Sequence, residues 1–155
     1  MNVRCLGLLL LLLWLPAQAG IRVLDDAGRE VVLAGPAQRI VSLAPHITEL
    51  LFAAGAGAQL VGVSGFSDYP EAARAMTRIS GGSGLDLEAI LALQPDLVVA
   101  WQSGNTEAGI QRLIALGMPV FISEPRRIED VTDTLPRLGQ LAGTGAVASA
   151  RAAAF

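Results

Sequence analysis

Four side chains have types and positions that suit contact with a ligand. His46 follows Pro45, Phe66 and Tyr69 lie close together, and Trp101 precedes a polar Gln-Ser-Gly-Asn segment. Aromatic rings offer large, stiff contact area, which suits a flat apolar ligand. Each of the three rings follows a short apolar run that is typical of a buried strand. We therefore expect the rings and the histidine to gather at one rim of a sheet.

Each of these residues also has a purely structural interpretation. Phe66 is as consistent with a core ring as with a ligand contact, and Tyr69 is equally suited to stabilising a turn. The polar residues after Trp101 indicate that this ring is exposed. His46 has no neighbouring His or Cys, so we predict no dedicated metal site. For His46, contact with the ligand is weighed against a structural role as a helix-cap or surface residue, and coordination of a ligand's metal as an axial ligand is a further alternative.

The sequence contains only incomplete versions of the catalytic motifs considered. Ser64 and Ser83 each lie in a glycine-containing segment, but both segments lack the last glycine of a nucleophile elbow. The sequence has no Walker loop, and Leu60 occupies a position where a dinucleotide-binding fingerprint requires glycine. The sequence therefore predicts a binding protein and not an enzyme.

The first 19 residues have the pattern of a cleaved export signal. Arg4 precedes an apolar run over residues 6–15, and Ala17-Gln-Ala19 is a small-residue cleavage site. The apolar run is about ten residues long, whereas a helix that spans a bilayer needs about 20. We expect export to the periplasm with removal of residues 1–19.

The remaining residues have the composition of one acidic globular domain. Removing residues 1–19 takes away Arg4 and the single cysteine, which leaves ten of the eleven basic residues against 14 acidic ones and a formal charge of −4. An acidic surface without basic clusters argues against a nucleic-acid partner. Without cysteine no disulfide forms, so the hydrophobic core has to stabilise the fold.

Short apolar runs alternate with helical patterns along the chain. This alternation predicts an α/β fold, a Rossmann-like lobe with a parallel sheet whose strands are joined by right-handed crossovers. In such sheets ligands bind outside the carboxyl ends of the strands. The predicted elements are a hairpin over 21–33, strands over 39–43, 60–63, 97–101 and 120–122, and helices from 45 to 54, 70–76, 86–94, 106–116, 128–142 and from 146 onward.

At these residues the sequence resembles the periplasmic cobalamin-binding proteins of ABC importers, within a wider group that also carries haem and iron-siderophores. Ser42-Leu-Ala-Pro45 with Thr48-Glu49, and the segment over 87–98, are shared by the whole group. Ser67-Asp-Tyr-Pro70, and Ala100-Trp101 with Gly104-Asn105, are similar to the cobalamin binders in particular. The resemblance covers essentially all of the sequence after the export signal.

The resemblance implies two α/β lobes that are joined by one long helix and hold the ligand in the cleft between them. Residues 1–19 would then be the signal peptide, 20–143 the N-terminal lobe, and 144–155 the truncated start of the interlobe helix. The matched positions of His46, Phe66 and Trp101 line the cleft in this group. By the same resemblance, Glu88 would be the carboxylate that docks onto an arginine pocket of the permease.

The implied partners are an ABC permease and ATPase complex at the inner membrane and a small corrinoid, bound by a monomer. Cobalamin is then the transported ligand, and no cofactor is expected. A cleft tryptophan of well-known cobalamin binders falls at Gly82, and this departure leaves haem or an iron-siderophore open as the ligand. An alternative of another class is an exported enzyme whose active site lies in a missing C-terminal half.

Overall fold

The computed structural model describes residues 20–79 and 85–155. The predicted signal peptide and Gly82 lie outside the described residues. The strands are β1 (Ile21–Leu24), β2 (Glu30–Leu33), β3 (Ile40–Ser42), β4 (Leu60–Ser64), β5 (Arg78–Ile79), β6 (Leu97–Trp101) and β7 (Val120–Ser123). The α-helices are α1 (Pro45–Ala53), α2 (Leu87–Ala92), α3 (Glu107–Ala115), α4 (Ile128–Ala142) and α5 (Gly145–Ala153).

Five of the described strands form a parallel sheet in the order β5-β4-β3-β6-β7. The central strand β3 pairs through Ile40 with Leu60 on one side and with Leu97 on the other. Its residues are buried on both faces, as expected for a parallel strand covered by helices. The predicted α/β lobe with a parallel sheet and an N-terminal hairpin is confirmed.

Helices cover both faces of the sheet and divide the core into two clusters. One cluster contains Ile40 and Phe121 from the strands and packs against α1, α4 and α5. The other contains Val41 and Ile122 and packs against α2 and α3. Alternate residues of each strand thus enter opposite clusters, as the two-residue period of a strand requires. The carboxyl ends of the described parallel strands meet at one edge of the sheet, and α1, α3 and α4 follow β3, β6 and β7 from that edge.

The N-terminal hairpin pairs β1 with β2 in antiparallel register and is attached to β7 by a buried carboxylate. Asp25 is 4% exposed and accepts hydrogen bonds from the side chain of Arg29 and from the backbone N–H of Ile122. Beside it, Asp26 accepts from the backbone N–H of Glu124 and from the guanidinium of Arg137 in α4. The hairpin is thereby fixed to the sheet and to α4.

The short helix predicted over 70–76 is a five-residue 3-10 helix, Glu71–Ala75, because only a few residues separate Pro70 from the next strand. That strand, β5, was not predicted at all. It has two residues and exists through its backbone pairing with Val63 and Ser64, so it leaves no hydrophobic pattern to detect.

Candidate functional site

An open groove of about 680 Å³ lies at the carboxyl edge of the sheet. One side of α1, the end of β6, and the segment after β7 with the first turn of α4 form its walls. Three of the four predicted contact residues, His46, Tyr69 and Trp101, line it together. The remaining lining residues are Glu49, Leu50, Ala53, Pro125, Arg126, Arg127, Ile128, Val131 and Phe155.

His46 and Trp101 contact each other at the floor of this groove. Their ring centroids are 5.0 Å apart and the ring planes meet at 83°, which is the edge-to-face arrangement that aromatic pairs favour. The Nε2 atom of His46 is buried and has no hydrogen-bond partner. Burial lowers the pKa of His46 below its ordinary 6.5, although the negative charges of Glu49 and Glu124 oppose the shift. The neutral imidazole therefore predominates at pH 7.

Two residues that come shortly after Trp101 in the sequence, Gly104 and Asn105, set its position. The side-chain Oδ1 of Asn105 accepts a hydrogen bond from the backbone N–H of Trp101 at 2.7 Å, and its Nδ2 donates to the carbonyl of Leu43 at 3.1 Å. Asn105 thus ties the ends of β6 and β3 together. Gly104 lies directly against the indole, and a Cβ at this position would overlap the ring. Thr106 caps α3.

A chain of buried hydroxyl groups fixes the start of α1 against the end of β4. The Oγ1 of Thr48 donates to the Oγ of Ser42 at 2.8 Å and lies 3.0 Å from the Oγ of Ser67, which in turn lies 3.0 Å from the Oγ of Ser64. Ser42, Thr48 and Ser67 are each at most 1% exposed. Buried hydroxyl groups cost free energy unless they are hydrogen-bonded, so these contacts favour a single arrangement of the start of α1 and the loop after β4.

Tyr69 and Phe66 lie on one loop after β4, but only Tyr69 lines the groove. The guanidinium of Arg78 holds this loop by donating to the carbonyl of Ser67 at 2.9 Å and to the carboxylate of Asp68 at 3.0 Å. Phe66 is 89% exposed and has a φ of 61°, a left-handed conformation that is uncommon for a residue with a side chain. The core interpretation of Phe66 is thus excluded, and its predicted ligand contact stays a prediction.

Sequence reasoning missed the wall formed by the segment that follows β7. Pro125, Ile128 and Val131 supply apolar surface, and the exposed guanidinium groups of Arg126 and Arg127 lie at the rim. The sequence does carry a signal for this wall. The segment follows the carboxyl end of β7, and Trp101 likewise lies at the carboxyl end of β6.

The two rim arginines are held by acidic neighbours. Arg126 lies 3.7 Å from Glu124, and Arg127 pairs with Asp130 at 3.0 Å. The backbone N–H of Arg126 donates to Asp130 as well. These hydrogen bonds, together with the Arg127 guanidinium, lower the pKa of the Asp130 carboxyl.

Glu88 lies away from the groove, in the first turn of α2. Its side chain is exposed, and the Asp86 carboxylate before it caps the helix by accepting from the backbone N–H of Ala89 at 3.0 Å. An exposed carboxylate on a capped helix is available to a partner. Its docking role stays a prediction.

Within residues 20–79 and 85–155, no three His, Cys, Asp or Glu side chains gather in a way that could hold a metal ion. Over the same described ranges, no helix combines the length and apolar character needed to cross a membrane.

Comparison with known proteins places these features in a family. The profile of the family described as periplasmic binding protein matches residues 40–153. The vitamin B12-binding protein of Yersinia pestis (strain Pestoides F) is 42% identical over 133 residues, which cover 86% of this chain and 41% of that protein. The chain thus spans less than half the length of this curated relative.

Two solved structures resemble the fold as well. The periplasmic vitamin B12-binding protein BtuF of Vibrio cholerae is 38% identical with a TM-score of 0.74, over 77% of this chain and 47% of BtuF. The periplasmic haem-binding protein RhuT from Roseiflexus sp. RS-1 is 30% identical with a TM-score of 0.66, over 75% of this chain and 45% of RhuT.

Proposed function

Because the chain belongs to the periplasmic binding protein family, we propose that it forms the N-terminal lobe of the substrate-binding component of an ABC importer, and that this component captures a cobalamin-like corrinoid in the periplasm. Membership of a binding-protein family agrees with the prediction of a binding protein over the alternative of an exported enzyme. Residues 1–19 serve as the export signal in this proposal.

The groove at the carboxyl edge of the sheet is the observation that carries the proposal. Its volume of about 680 Å³ and its aromatic and apolar lining match the size and character of small-molecule sites. Trp101, Tyr69 and His46 present rings to the groove, and rings contact the flat face of a macrocycle well. The relatives named for vitamin B12 support a corrinoid as that macrocycle.

The groove is open on one side, which supports a second lobe as its cover. A ligand that rests on one wall leaves much of its surface in water, whereas ligand sites bury most of it. The chain also spans 41% of the curated relative. We assign residues 20–143 to the N-terminal lobe and 144–155 to the start of the helix that leads to the second lobe. Phe155 already lines the groove at that end.

Haem is the second candidate ligand, and the rim of the groove favours it. Arg126 and Arg127 are the kind of side chain that binds carboxylates, such as those of a porphyrin. Their pairing with Glu124 and Asp130 reduces the positive charge that they offer. Coordination of a haem iron by His46 through Nε2 requires the imidazole to change its orientation, because that atom is buried. An uncharged or weakly charged ligand therefore fits better.

The proposal is tested on the two-lobe protein that it requires, called here the complete reading-frame product. That protein is titrated calorimetrically with cyanocobalamin and with haemin. We expect saturable binding of cyanocobalamin and weaker or no binding of haemin. Tight binding of haemin without cyanocobalamin would show that the corrinoid assignment is wrong. Residues 20–155 alone are expected to bind cyanocobalamin weakly, since one wall buries only part of the ligand.

A further inference from the structure

We infer that His46 is a positioning residue for Trp101, and that the neutral imidazole is the form that holds the indole in the ligand-binding orientation. The orientation of the Trp101 indole, and ligand capture with it, then depends on pH. The inference about the ring concerns this chain alone. Its extension to ligand capture rests on the proposed function.

The contact between the two rings is the first part of the evidence. His46 meets Trp101 edge to face with centroids 5.0 Å apart, and both rings line the groove. Asn105 fixes the backbone of Trp101, but a backbone hydrogen bond leaves the side-chain torsions of the indole free. Gly104 lies directly against the indole, and His46 supplies the aromatic contact inside the groove. The edge-to-face contact therefore limits where the indole can lie.

The environment of the imidazole nitrogen is the second part. Nε2 is buried without a hydrogen-bond partner, so a proton on this atom meets no acceptor. An unpaired charged donor costs more than an unpaired neutral one. The protonated imidazole is thus expected to turn toward water and to give up its contact with Trp101.

The charged groups around His46 act on the imidazolium in opposite directions. They do not reverse the effect of burial on its pKa. Glu49 on α1 and Glu124 after β7 attract the imidazolium, whereas Arg126 and Arg127 at the rim repel it. Tyr69, from the loop after β4, is uncharged at neutral pH. Burial outweighs the two carboxylates, and the pKa of His46 lies below 6.5.

The direction of the pH effect follows from this shift. A histidine whose pKa is lowered in the folded protein contributes stability above its unfolded-state value of 6.5, and that contribution is lost as the pH falls toward the folded-state value. A ligand that covers the groove buries the imidazole further and lowers its pKa again. Affinity should then be constant at neutral pH and fall by up to about tenfold per pH unit below the midpoint of the free protein.

The composition of the chain makes the test clean. The chain has one histidine and two tryptophans, Trp14 and Trp101. In the Trp14→Phe variant of the full chain, one imidazole and one indole therefore give unambiguous NMR signals. We expect the His46 signals to titrate with a midpoint below pH 6.5 and the Trp101 indole N–H signal to move with the same midpoint. An indole signal that stays fixed while His46 titrates, or a midpoint above 6.5, would overturn the inference.

Two variants separate positioning from a general effect on folding. His46→Phe keeps an aromatic edge that cannot titrate, so the near-UV circular dichroism of Trp101 should be retained and should no longer change over this pH range. His46→Gln removes the ring, so that signal should decrease at every pH while far-UV dichroism stays unchanged. A pH dependence that persists in both variants contradicts the inference, and the Trp14→Phe titration decides the question if either variant fails to fold.

Ligand capture is measured separately on the complete reading-frame product. The affinity for cyanocobalamin should fall below the His46 midpoint in the parent protein and stay level in His46→Phe relative to its own value at neutral pH. An affinity of the parent protein that does not change across the midpoint contradicts the extension to capture. Absence of cyanocobalamin binding at every pH would refute the proposed function and this extension, whereas the NMR result would still decide the positioning role.

Discussion

At the scale of single residues, the site depends on how Trp101 is held. Asn105 fixes its backbone, His46 meets its ring, and Gly104 leaves the space that the indole occupies. A ring that is already ordered loses little rotamer freedom on binding, so more of the contact energy contributes to affinity. Close neighbours of the ring therefore matter as much as the ring itself.

Replacing Gly104 with alanine tests this arrangement. A Cβ at this position would overlap the Trp101 indole, so the ring has to move, at a cost of about 1–3 kcal/mol if the site behaves as an overpacked core. We expect a changed near-UV dichroism of Trp101 and a cyanocobalamin affinity at least about tenfold weaker, measured by calorimetry on the complete product.

Gly35→Ala is the matched control for this substitution. A Cβ on Gly35 meets no atom within 4 Å, and we expect stability and affinity within error of the parent protein. A Gly104→Ala variant that also binds like the parent would show that the indole does not need its observed position.

The candidate site was predictable from the sequence where a residue type and a strand end coincide. His46, Tyr69 and Trp101 meet because parallel strands bring their carboxyl ends to one edge. Phe66 follows a strand too, but it has a left-handed backbone and does not line the groove, and backbone conformation at one residue leaves no periodic signal. Arg126 and Arg127 were missed because charged residues in a loop usually indicate only a solvated surface.

At the scale of secondary-structure elements, hydrophobic periodicity identified every strand of the described sheet except β5 and the approximate span of each α-helix. What it does not report is how the elements are attached to one another. The hairpin is attached through Asp25, which is buried and accepts hydrogen bonds from Arg29 and from β7. Nothing in the local pattern at Asp25 distinguishes it from a turn carboxylate on the surface.

Asp25→Ala is expected to destabilise the fold by about 3 kcal/mol in a urea unfolding experiment. The substitution leaves the Ile122 N–H without its partner and the Arg29 guanidinium with its bond to the Val120 carbonyl, and breaking a buried pair in this way is strongly destabilising. The value lies near the lower end of the usual range because the Arg29 side chain is 35% exposed.

Arg22→Ala is the control within the same hairpin. Its pair with Glu30 is 63% and 51% exposed, so its removal should change stability by less than about 0.5 kcal/mol. Equal effects of the two substitutions would mean that Asp25 is not the attachment point of the hairpin.

At the scale of the whole molecule, the groove and Glu88 lie on different parts of the lobe. The groove is formed by α1, the end of β6 and the start of α4, whereas Glu88 is exposed on α2, across the sheet from α1 and α4. We propose that ligand capture and docking to a permease use separate surfaces. Substitutions can then affect one without the other.

Glu88→Gln tests this separation. We expect cyanocobalamin affinity to be unchanged and the rate of cyanocobalamin uptake, measured with the cognate permease and ATPase in vesicles, to fall severalfold because a charge-assisted contact is lost. Glu107→Gln removes an exposed carboxylate from the equivalent first turn of α3 and should leave uptake unchanged. Loss of uptake in both variants, or in neither, would argue against a specific docking role for Glu88.

Cyanocobalamin binding by a Trp101→Ala variant of the complete reading-frame product is the most direct test that the groove holds the ligand. Truncating a central aromatic contact typically costs 2 kcal/mol or more, so we expect the dissociation constant to rise by at least about 30-fold. Leu116→Ala, which truncates an apolar side chain 51% exposed at the far end of α3, should bind like the parent protein. If Trp101→Ala binds cyanocobalamin as tightly as the Leu116→Ala control, the ligand does not occupy this groove.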